Sequence, residues 1–364
     1  MAAGNEPDAV PGSGHEPGPE IAAPARFDSL RRRVISLPAL VSFLIAGGFL
    51  LFLVTRFDVD LGVTWEQVRG ANPWLLAAAF AVHYTTFIFR GARWRLLLAH
   101  SASTSGEAEP VPGILFCSRA VLLGWFINSI GWLRLGDAYR AYLYREEHNA
   151  AFSGAIGTVL AERVLDVVLV ALMLLAAAPF LITHSGGGAA WAWVTLTAVL
   201  LVLMLVIVLV LLLRLRTLLL RWLPEWLASR YERFLYGATA VRYKLPQTTL
   251  LGLLGWAAEM GRMYLVAMAL GFDLSVAMVV FLTLANSLLS LVPTPGGIGA
   301  VESGVAGLAV RLATLGKEAA TALVLVDRFI TYISVIIVGA PLFAVRPLFR
   351  RRSHTDVPQG TPSP

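Results

Sequence analysis

Cysteine and charged residues are both scarce in this chain. Among its 364 residues there is one cysteine, Cys117, so an internal disulfide is excluded. Charged residues make up only 14% of the sequence, whereas a soluble domain of this size carries roughly a quarter. Hydrophobic residues reach 57%, and several apolar runs approach the ~20 residues that cross a bilayer. The composition excludes a soluble globular protein and predicts an all-α, polytopic membrane helix bundle.

The signals of several other protein classes are missing as well. Residues 1–26 are polar and contain no apolar run, so no cleavable signal peptide is expected. No P-loop, no GxSxG motif and no His/Cys cluster with metal-ligand spacing occurs, so we expect no catalytic domain, no metal and no cofactor. The formal net charge of +6 lies in short loops beside apolar segments, a pattern typical of membrane proteins and not of nucleic-acid binding.

The composition divides the chain into a membrane domain and two polar tails. Residues 1–34 and 347–364 are predicted to be disordered cytoplasmic tails. Residues 35–346 form the predicted transmembrane domain. Within it, residues 214–248 carry repeated arginine and lysine between leucine, tryptophan and tyrosine. This segment is predicted to form cytoplasmic interfacial helices that are attracted to anionic inner-leaflet lipids.

Arginine clusters predict which ends of the apolar runs face the cytoplasm. Residues 31–33 are all arginine and precede the first run, 37–54, so the N-terminus is expected inside. The second run, 73–89, is followed by three arginines that are expected in the cytoplasm: Arg90, Arg93 and Arg95. Residues 95–112 are then a polar cytoplasmic loop.

One crossing for each apolar run conflicts with this charge pattern. The basic segment would then lie outside the cell, against the positive-inside rule at its strongest loop. The conflict disappears if residues 113–150 form a re-entrant hairpin that opens to the cytoplasm and residues 276–313 form one that opens outwards. We therefore predict about six full spans, two re-entrant hairpins and both termini on the cytoplasmic side of the cell (inner) membrane. A double crossing by residues 276–313 stays an alternative.

The second predicted hairpin contains an unusual concentration of helix breakers. Residues 293–299 are interrupted by two prolines and three glycines: Pro293, Pro295, Gly296, Gly297 and Gly299. Non-helical backbone at membrane depth is tolerated only inside protein or beside a wet cavity. The break therefore predicts a cavity that Asn286 enters on one arm and Glu302 leaves on the other. A tight loop between two spanning helices, with Glu302 near the headgroups, is the alternative.

The first predicted hairpin repeats this pattern in a shorter form. Asn128 and Ser129 match the Asn-Ser pair at 286–287, and apolar residues, a glycine-containing break and the carboxylate of Asp137 follow. Arg134 and Arg140 flank this break, and arginine binds phosphate oxygens bidentately. Inverted repeats with broken helices that meet near the midplane are typical of alternating-access transporters. For the two arginines, ordinary interfacial anchoring is the alternative.

Nine charged residues lie within the apolar runs, where each costs roughly 2.5–3.5 kcal/mol at a helix centre. They are Arg119, Glu162, Arg163, Asp166, Glu259, Arg262, Glu302, Asp327 and Arg328. The near balance of cations and anions predicts mutual pairing, which either locks the bundle or serves a substrate. Glu162 and Asp166, four residues apart, are predicted to share a helix face. Glu259 can pair with Arg262 within one helix, and Asp327 with Arg328 is a further candidate pair. The candidate substrate-binding residues are Asn128, Arg134, Asp137, Arg140, Glu162, Arg163, Asp166, Asn286, Pro293, Pro295, Gly296, Gly297, Gly299 and Glu302.

These motifs resemble the lysylphosphatidylglycerol synthase transmembrane family, also called flippase-like integral membrane proteins, over roughly residues 35–345. The motifs that carry the resemblance are Arg93-Trp94-Arg95, Asn128 to Arg140, Glu162-Arg163 with Asp166, and Pro293 to Gly299 with Glu302. The chain departs from the family at Trp132-Leu133, where a proline is usual, and at Asp137, where glutamate is usual. Both departures weaken the expectation of a sharp first break.

The resemblance implies lipid translocation or a closely linked lipid role, in a stand-alone transmembrane module without an aminoacyl transferase domain. The expected substrate is a phospholipid or a polyprenyl-phosphate-linked lipid, driven by a gradient because no nucleotide motif occurs. One alternative is a membrane-embedded glycosyl or lipid transferase that uses the acids Asp58 and Asp60. Another is a non-transporting membrane scaffold. The lipid, the direction, the coupling ion and the oligomeric state, a homodimer included, are left open.

Overall fold

The computed structural model describes residues 60–104, 110–131, 134–185, 224–242, 244–292 and 294–353, with scattered helical positions between 196 and 214. Four sets of predictions lie outside these residues: both tails beyond them, the first run at 37–54, most of the run at 191–213, and the individual residues Asp58, Trp132, Leu133 and Pro293. Within the described ranges the protein is all-α and contains no strand.

Eleven α-helices are present in the described part of the chain. They are α1 (Leu61–Arg69), α2 (Pro73–Thr104), α3 (Ile114–Ile130), α4 (Gly136–His148), α5 (Phe152–Ser185), α6 (Glu225–Thr239), α7 (Leu245–Ala269), α8 (Val276–Leu289), α9 (Ala300–Leu312), α10 (Lys317–Arg328) and α11 (Ser334–Ser353). A π-helical turn, Phe329–Ile333, joins α10 to α11 without a gap. The helix α11 thus continues to Ser353, into the segment predicted as a tail.

Two helices in the described residues are long and apolar enough to cross a bilayer, over Pro73–Ser103 and Lys317–Val345. The apolar helices α3 and α8 have only 17 and 14 residues. At 1.5 Å per residue they measure about 26 and 21 Å, shorter than the ~30 Å hydrocarbon core. Both are shorter than the ~20 residues of a typical span, as the arm of a re-entrant hairpin would be. The number of full spans stays a prediction.

The helix α2 continues well past the predicted end of its apolar run. The prediction of a polar loop over residues 95–112 is wrong in its first part, because the helix runs to Thr104. Arg93 is only 1% exposed and Trp94 is fully buried. Carboxylates on a neighbouring helix neutralise Arg93, so its guanidinium does not need to reach water.

Both predicted helix breaks are confirmed. The chain leaves α3 at Ile130 and enters α4 at Gly136, with Arg134 at a left-handed φ of 46°. It leaves α8 at Leu289 and enters α9 at Ala300, and three glycines between them have φ of 59°, 72° and 90°. These values lie in the region that glycine adopts most easily. The first break forms with Trp132-Leu133 where the related family usually has a proline.

Close helix approaches hold these elements together. Gly124 of α3 faces Gly136 of α4, and a Cβ at Gly124 would lie 2.9 Å from the Gly136 carbonyl oxygen. On the other side of α5, Gly157 meets Gly237 of α6 just as closely. Small residues allow such backbone contact between membrane helices. The first hairpin also packs between α2, which carries the buried Arg93, and α5, which carries the buried Glu162 and Asp166.

Candidate functional site

The two helix breaks touch each other. Arg134, in the first break, donates from Nη1 to the backbone carbonyl of Ser290, where the second break begins. Tyr332, in the π-helical turn, donates from its hydroxyl to the carbonyl of Ser129 at 2.9 Å. Arg134 thus joins hairpins that are 156 residues apart in the chain.

The two asparagines of the repeated motif have different environments. Asn128 accepts a hydrogen bond on Oδ1 from the backbone N–H of Gly136, at 2.8 Å, and so caps the start of α4. Asn286 has a buried Oδ1 without a hydrogen-bond partner among the described residues. The matching sequence positions are therefore not structurally equivalent.

The carboxylate of the first hairpin is bound by an arginine of α5. Arg163 donates from Nε to Oδ2 of Asp137 at 3.0 Å and from Nη2 to Oδ1 at 2.8 Å. Arg140 lies 3.5 Å from the same carboxylate, one helical turn further along α4. The Asp137 and Arg163 side chains are 34% and 41% exposed, so this pair faces accessible space.

A second, deeply buried pair of acids on α5 is held by Arg93 of α2. Arg93 contacts Asp166 through Nη1 and Nη2, at 2.7 and 3.1 Å, and contacts Glu162 through Nε at 3.2 Å. Arg140 binds the other oxygen of Glu162. The prediction that Glu162 and Asp166 share a helix face is confirmed, because one guanidinium reaches both. Arg93 was predicted only as a cytoplasmic cation after the second run and as a family motif residue, not as part of the site.

Arg90 is a further site residue that the sequence did not identify. Its guanidinium lies 5.5 Å from the ring centre of Trp125 and 5.6 Å from that of Trp256. Its one hydrogen bond among the described residues is a long one, 3.4 Å, to Asp166, and its buried Nε has none there. The available signal was its spacing of three residues from Arg93, which puts both arginines on one face of a continuous helix.

These side chains surround a narrow pocket between α2, α3, α4 and α5. Its lining consists of Arg90, Arg93, Val121, Gly124, Trp125, Asp137, Arg140, Glu162 and Arg163. Four arginines face two carboxylates there, and counting Asp166 behind Arg93 still leaves one excess positive charge. The pocket is thus suited electrostatically to an anion.

The glutamate of the second hairpin belongs to a separate cluster. Glu302 accepts hydrogen bonds from the backbone N–H of Gly299 at 2.6 Å and from Nε of Arg328 at 2.7 Å. Arg328 also donates to the carbonyl of Gly296 at 2.8 Å and lies 4.8 Å from the ring centre of Tyr332. Pro295 and Gly297 are buried in the same turn. None of these residues lines the pocket described above.

Asp327 and Arg328 do not pair with each other, although they are adjacent. Asp327 binds Arg262 of α7, which also contacts Glu259 at 3.2 Å within its own helix, as predicted. Arg119, outside both networks, binds Glu147. The pairing of the charges buried in the apolar runs is therefore confirmed, but most partners come from other helices.

The two ion-pair networks follow the same plan. In each, an arginine before the hairpin binds the acid of an acid–arginine pair that follows the hairpin: Arg93 with Glu162, and Arg262 with Asp327. The arginine of that pair then returns to the hairpin carboxylate, 26 residues earlier in both cases. This correspondence supports the internal repeat that the Asn-Ser motifs only indicated.

Comparison with known proteins gives a consistent assignment. The sequence matches the family described as "Lysylphosphatidylglycerol synthase TM region" over residues 39–339. A UPF0104 membrane protein of Methanocaldococcus jannaschii is 31% identical over 230 residues, which cover 60% of this chain and 94% of that protein. A glycosyltransferase of Haloferax volcanii, AglD, is 26% identical over 143 residues, covering 39% of this chain but only 22% of AglD.

The matched region contains both hairpins, both ion-pair networks and the pocket. It also covers most of the chain, far more than a single shared motif would. The protein is therefore a membrane protein that belongs to the lysylphosphatidylglycerol synthase transmembrane family.

Proposed function

We propose that this protein translocates a phosphate-bearing lipid, whose headgroup passes through the arginine-lined pocket while its tails stay in the bilayer. The observation that carries the proposal is the excess of positive charge in a pocket that is otherwise closely packed. Four arginines converge there on two lining carboxylates. A lipid phosphate would supply the missing negative charge.

Arg90 is the arginine best placed to meet the phosphate. Arg163 and Arg93 each already donate two or more hydrogen bonds to carboxylates. Arg90 has a buried Nε without a partner in the described residues and only one long contact, to Asp166. The two indole rings beside it hold the guanidinium in place, and a planar guanidinium binds phosphate through parallel N–H donors.

Movement of the headgroup, and not only binding, is favoured by the helix breaks. Short arms that end in the membrane interior expose backbone groups, which need protein or water around them. The contact between Arg134 and Ser290 joins the two breaks beside the pocket. In an alternating-access cycle this contact would form in one state and open in the other, exposing the pocket to each side in turn.

The proposed topology keeps both termini and the basic segment on the cytoplasmic side. Helix α6 packs on α5 through Gly237 and leaves Trp226 59% exposed, with Arg230 5.1 Å from its ring centre. This arrangement suits an interfacial helix on anionic inner-leaflet lipids. Single cysteines in a Cys117→Ser background test it: positions in 224–242 should resist a membrane-impermeant maleimide in whole cells and react after lysis.

The transport function is tested with the full chain in phosphatidylethanolamine–phosphatidylglycerol vesicles that contain fluorescent phosphatidylglycerol. Dithionite quenching reports the rate at which the labelled lipid changes leaflet. Arg90→Gln should lower this rate at least about tenfold, the effect of losing ~1.4 kcal/mol of interaction. Arg145→Gln, on an exposed arginine of α4, should leave it unchanged. Equal rates for wild type and Arg90→Gln would reject this role of the pocket.

The same assay separates the two lipid sources. Unlabelled undecaprenyl phosphate and unlabelled phosphatidylglycerol are added as competitors in matched amounts. The lipid that slows the labelled probe more strongly belongs to the preferred class. If neither competes although translocation occurs, the pocket does not select for phosphate.

A membrane-embedded transferase is the second candidate, favoured by the similarity to a protein named as a glycosyltransferase. The matched part is 22% of that protein, so the whole protein's activity does not transfer with it. Asp60 already caps α1, accepting from the N–H groups of Gly62 and Val63 at 2.8 and 3.2 Å. Loss of a glycolipid product in the double variant Asp58→Asn, Asp60→Asn would favour the transferase.

A further inference from the structure

A row of polar side chains runs along the buried face of α2. His83, Thr86, Arg90 and Arg93 follow one another at spacings of three or four residues, which places them on one side of the helix. His83 and Thr86 are fully buried, and Arg93 is 1% exposed. From His83 to Arg93 the row extends over ten residues, about 15 Å along the helix.

Helix α7 provides a complementary face for this row. Glycines leave room for the arginines: a Cβ at Gly252 would lie 2.9 Å from Nη1 of Arg93, and one at Gly255 would lie 3.8 Å from Cγ of Arg90. Farther along α7, Glu259 and Arg262 are buried close to His83 and interact with it electrostatically. The row therefore connects the network around Asp166 with the network around Asp327.

Buried polar atoms without a hydrogen-bond partner are concentrated at this interface. Within the described residues they include both ring nitrogens of His83, Oγ1 of Thr86, Nε of Arg90, Nε1 of Trp256 and Oε1 of Glu259. A single buried atom of this kind costs free energy, and native proteins usually satisfy such atoms with water. Donors and acceptors that follow each other along one interface are what a chain of hydrogen-bonded waters requires.

We propose that the interface of α2 and α7 is a hydrated proton path, and that proton transfer through His83 and Glu259 drives the lipid movement. The inference rests on the proposed function, to which it adds the coupling ion. A proton fits this interface better than a metal cation, because Arg90, Arg93 and Arg262 line it and would repel a cation that has to bind there. A proton needs only a continuous chain of hydrogen bonds.

The imidazole of His83 is suited to relay a proton. It accepts a proton on one ring nitrogen and releases the proton of the other nitrogen, so its net charge is restored after each transfer. Glu259 accepts the released proton on its unpartnered oxygen, becoming neutral, and returns it to the next water. The groups that face His83 are Tyr84 and Arg90 of α2, Trp125 of α3, and Glu259 and Arg262 of α7.

The histidine also touches aromatic rings, with centroid distances of 5.4 Å to Tyr84, 5.4 Å to Phe87 and 6.1 Å to Trp125. A purely structural histidine would only pack against these rings, and phenylalanine would replace it well. His83→Phe therefore keeps the packing and removes the proton relay. His100→Phe, two helical turns beyond Arg93 near the end of the same helix, is the matched control.

The experiment uses the full chain in vesicles with fluorescent phosphatidylglycerol, with pyranine inside to report proton entry. For one proton per lipid, a gradient of one pH unit should change the wild-type translocation rate up to about tenfold, since 1.4 kcal/mol corresponds to that factor. His83→Phe should lose this response and the linked proton entry, while His100→Phe should keep both. Glu259→Gln, which preserves shape, should behave like His83→Phe.

The outcomes distinguish this inference from the proposed function. If wild type moves lipid without any response to the pH gradient, or if both variants respond like wild type, the proton path is rejected while transport stands. If wild type moves no lipid, the proposed function fails. The rate of proton entry alone then decides whether the proton path exists. Slower entry in His83→Phe than in wild type and His100→Phe would still support the path, and equal entry would overturn it.

Discussion

Arg93 of α2 and Asp166 of α5 form two parallel hydrogen bonds, of 2.7 and 3.1 Å, although 73 residues separate them in the chain. The same guanidinium also reaches Glu162, so one arginine contacts two acids inside the bundle. Both ends of these contacts are withdrawn from water, with side-chain exposures of 2% for Arg93 and 10% for Asp166. This pairing fixes α5 against α2 and shapes one wall of the pocket.

Removing this arginine should destabilise the protein strongly. Arg93→Met keeps most of the side-chain volume but leaves Glu162 and Asp166 buried without their main partner, which typically costs about 3–5 kcal/mol. Thermal unfolding in detergent should show a much lower midpoint, with poor recovery of folded protein. Arg145→Met, an exposed arginine of α4, is the control and should unfold like wild type.

A second substitution tests whether Arg93→Met loses stability because two acids are left unpaired. If the cost comes from unpaired acids, then Asp166→Leu in the Arg93→Met background should recover part of the stability. A double variant no more stable than Arg93→Met alone would show that Arg93 acts through packing, for example against the Gly252 face of α7.

The close approach of the two arms of the first hairpin gives a steric prediction. A Cβ at Gly136 would overlap the carbonyl of Gly124 and lie 2.8 Å from Oδ1 of Asn128, the group that caps α4. Gly136→Ala should therefore cost about 1–3 kcal/mol, because overpacking forces the backbones apart. Gly113→Ala, where a Cβ meets nothing within 4 Å, should have little effect on the melting midpoint. Equal midpoints for the two variants would contradict the close contact.

Glu302 should matter for the start of α9. Its carboxylate accepts from the Gly299 N–H and from Arg328 at the same time. Glu302→Gln retains only one acceptor oxygen, so one of these donors loses its partner, at a cost of about 1–3 kcal/mol. Hydrogen exchange should then become faster around residues 296–303. Glu318→Gln, in the first turn of α10, is the control, and unchanged protection in Glu302→Gln would show that the cap is dispensable.

The helix breaks could be predicted from the sequence because their cause is local. Prolines and glycines at 293–299 prevent a helix wherever the segment lies, and the structure interrupts α8 and α9 there. The pairing of buried charges could also be predicted, since unpaired charges in an apolar environment are costly. Within one helix even the partners followed from spacing, as for Glu259 and Arg262.

The remaining parts of the site depend on contacts between distant segments. Arg93 follows an apolar run, and its position there equally fits an interfacial anchor, so its burial by Glu162 and Asp166 was not predictable from local pattern. Trp125 and Trp256, which pack beside Arg90, come from α3 and α7. Periodicity within one helix cannot predict a contact between separate helices. The division of Asp137 and Glu302 between two clusters, rather than one chamber, has the same origin.

The contact between the two hairpins can be tested at Arg134, where backbone and side chain make separate predictions. Its φ of 46° costs a non-glycine residue roughly 1–2 kcal/mol, which glycine does not lose. Arg134→Gly should therefore be at least as stable as Arg134→Ala, and by about 1 kcal/mol more stable if the break keeps its geometry. Both variants lose the donor to the Ser290 carbonyl. If this contact closes the pocket on one side, both variants should change lipid translocation equally. The melting midpoint of Arg134→Ala should nevertheless be lower than that of Arg134→Gly. Melting curves and dithionite assays on the same preparations separate the two effects, and wild-type translocation in Arg134→Gly would exclude the side-chain contact from the transport cycle.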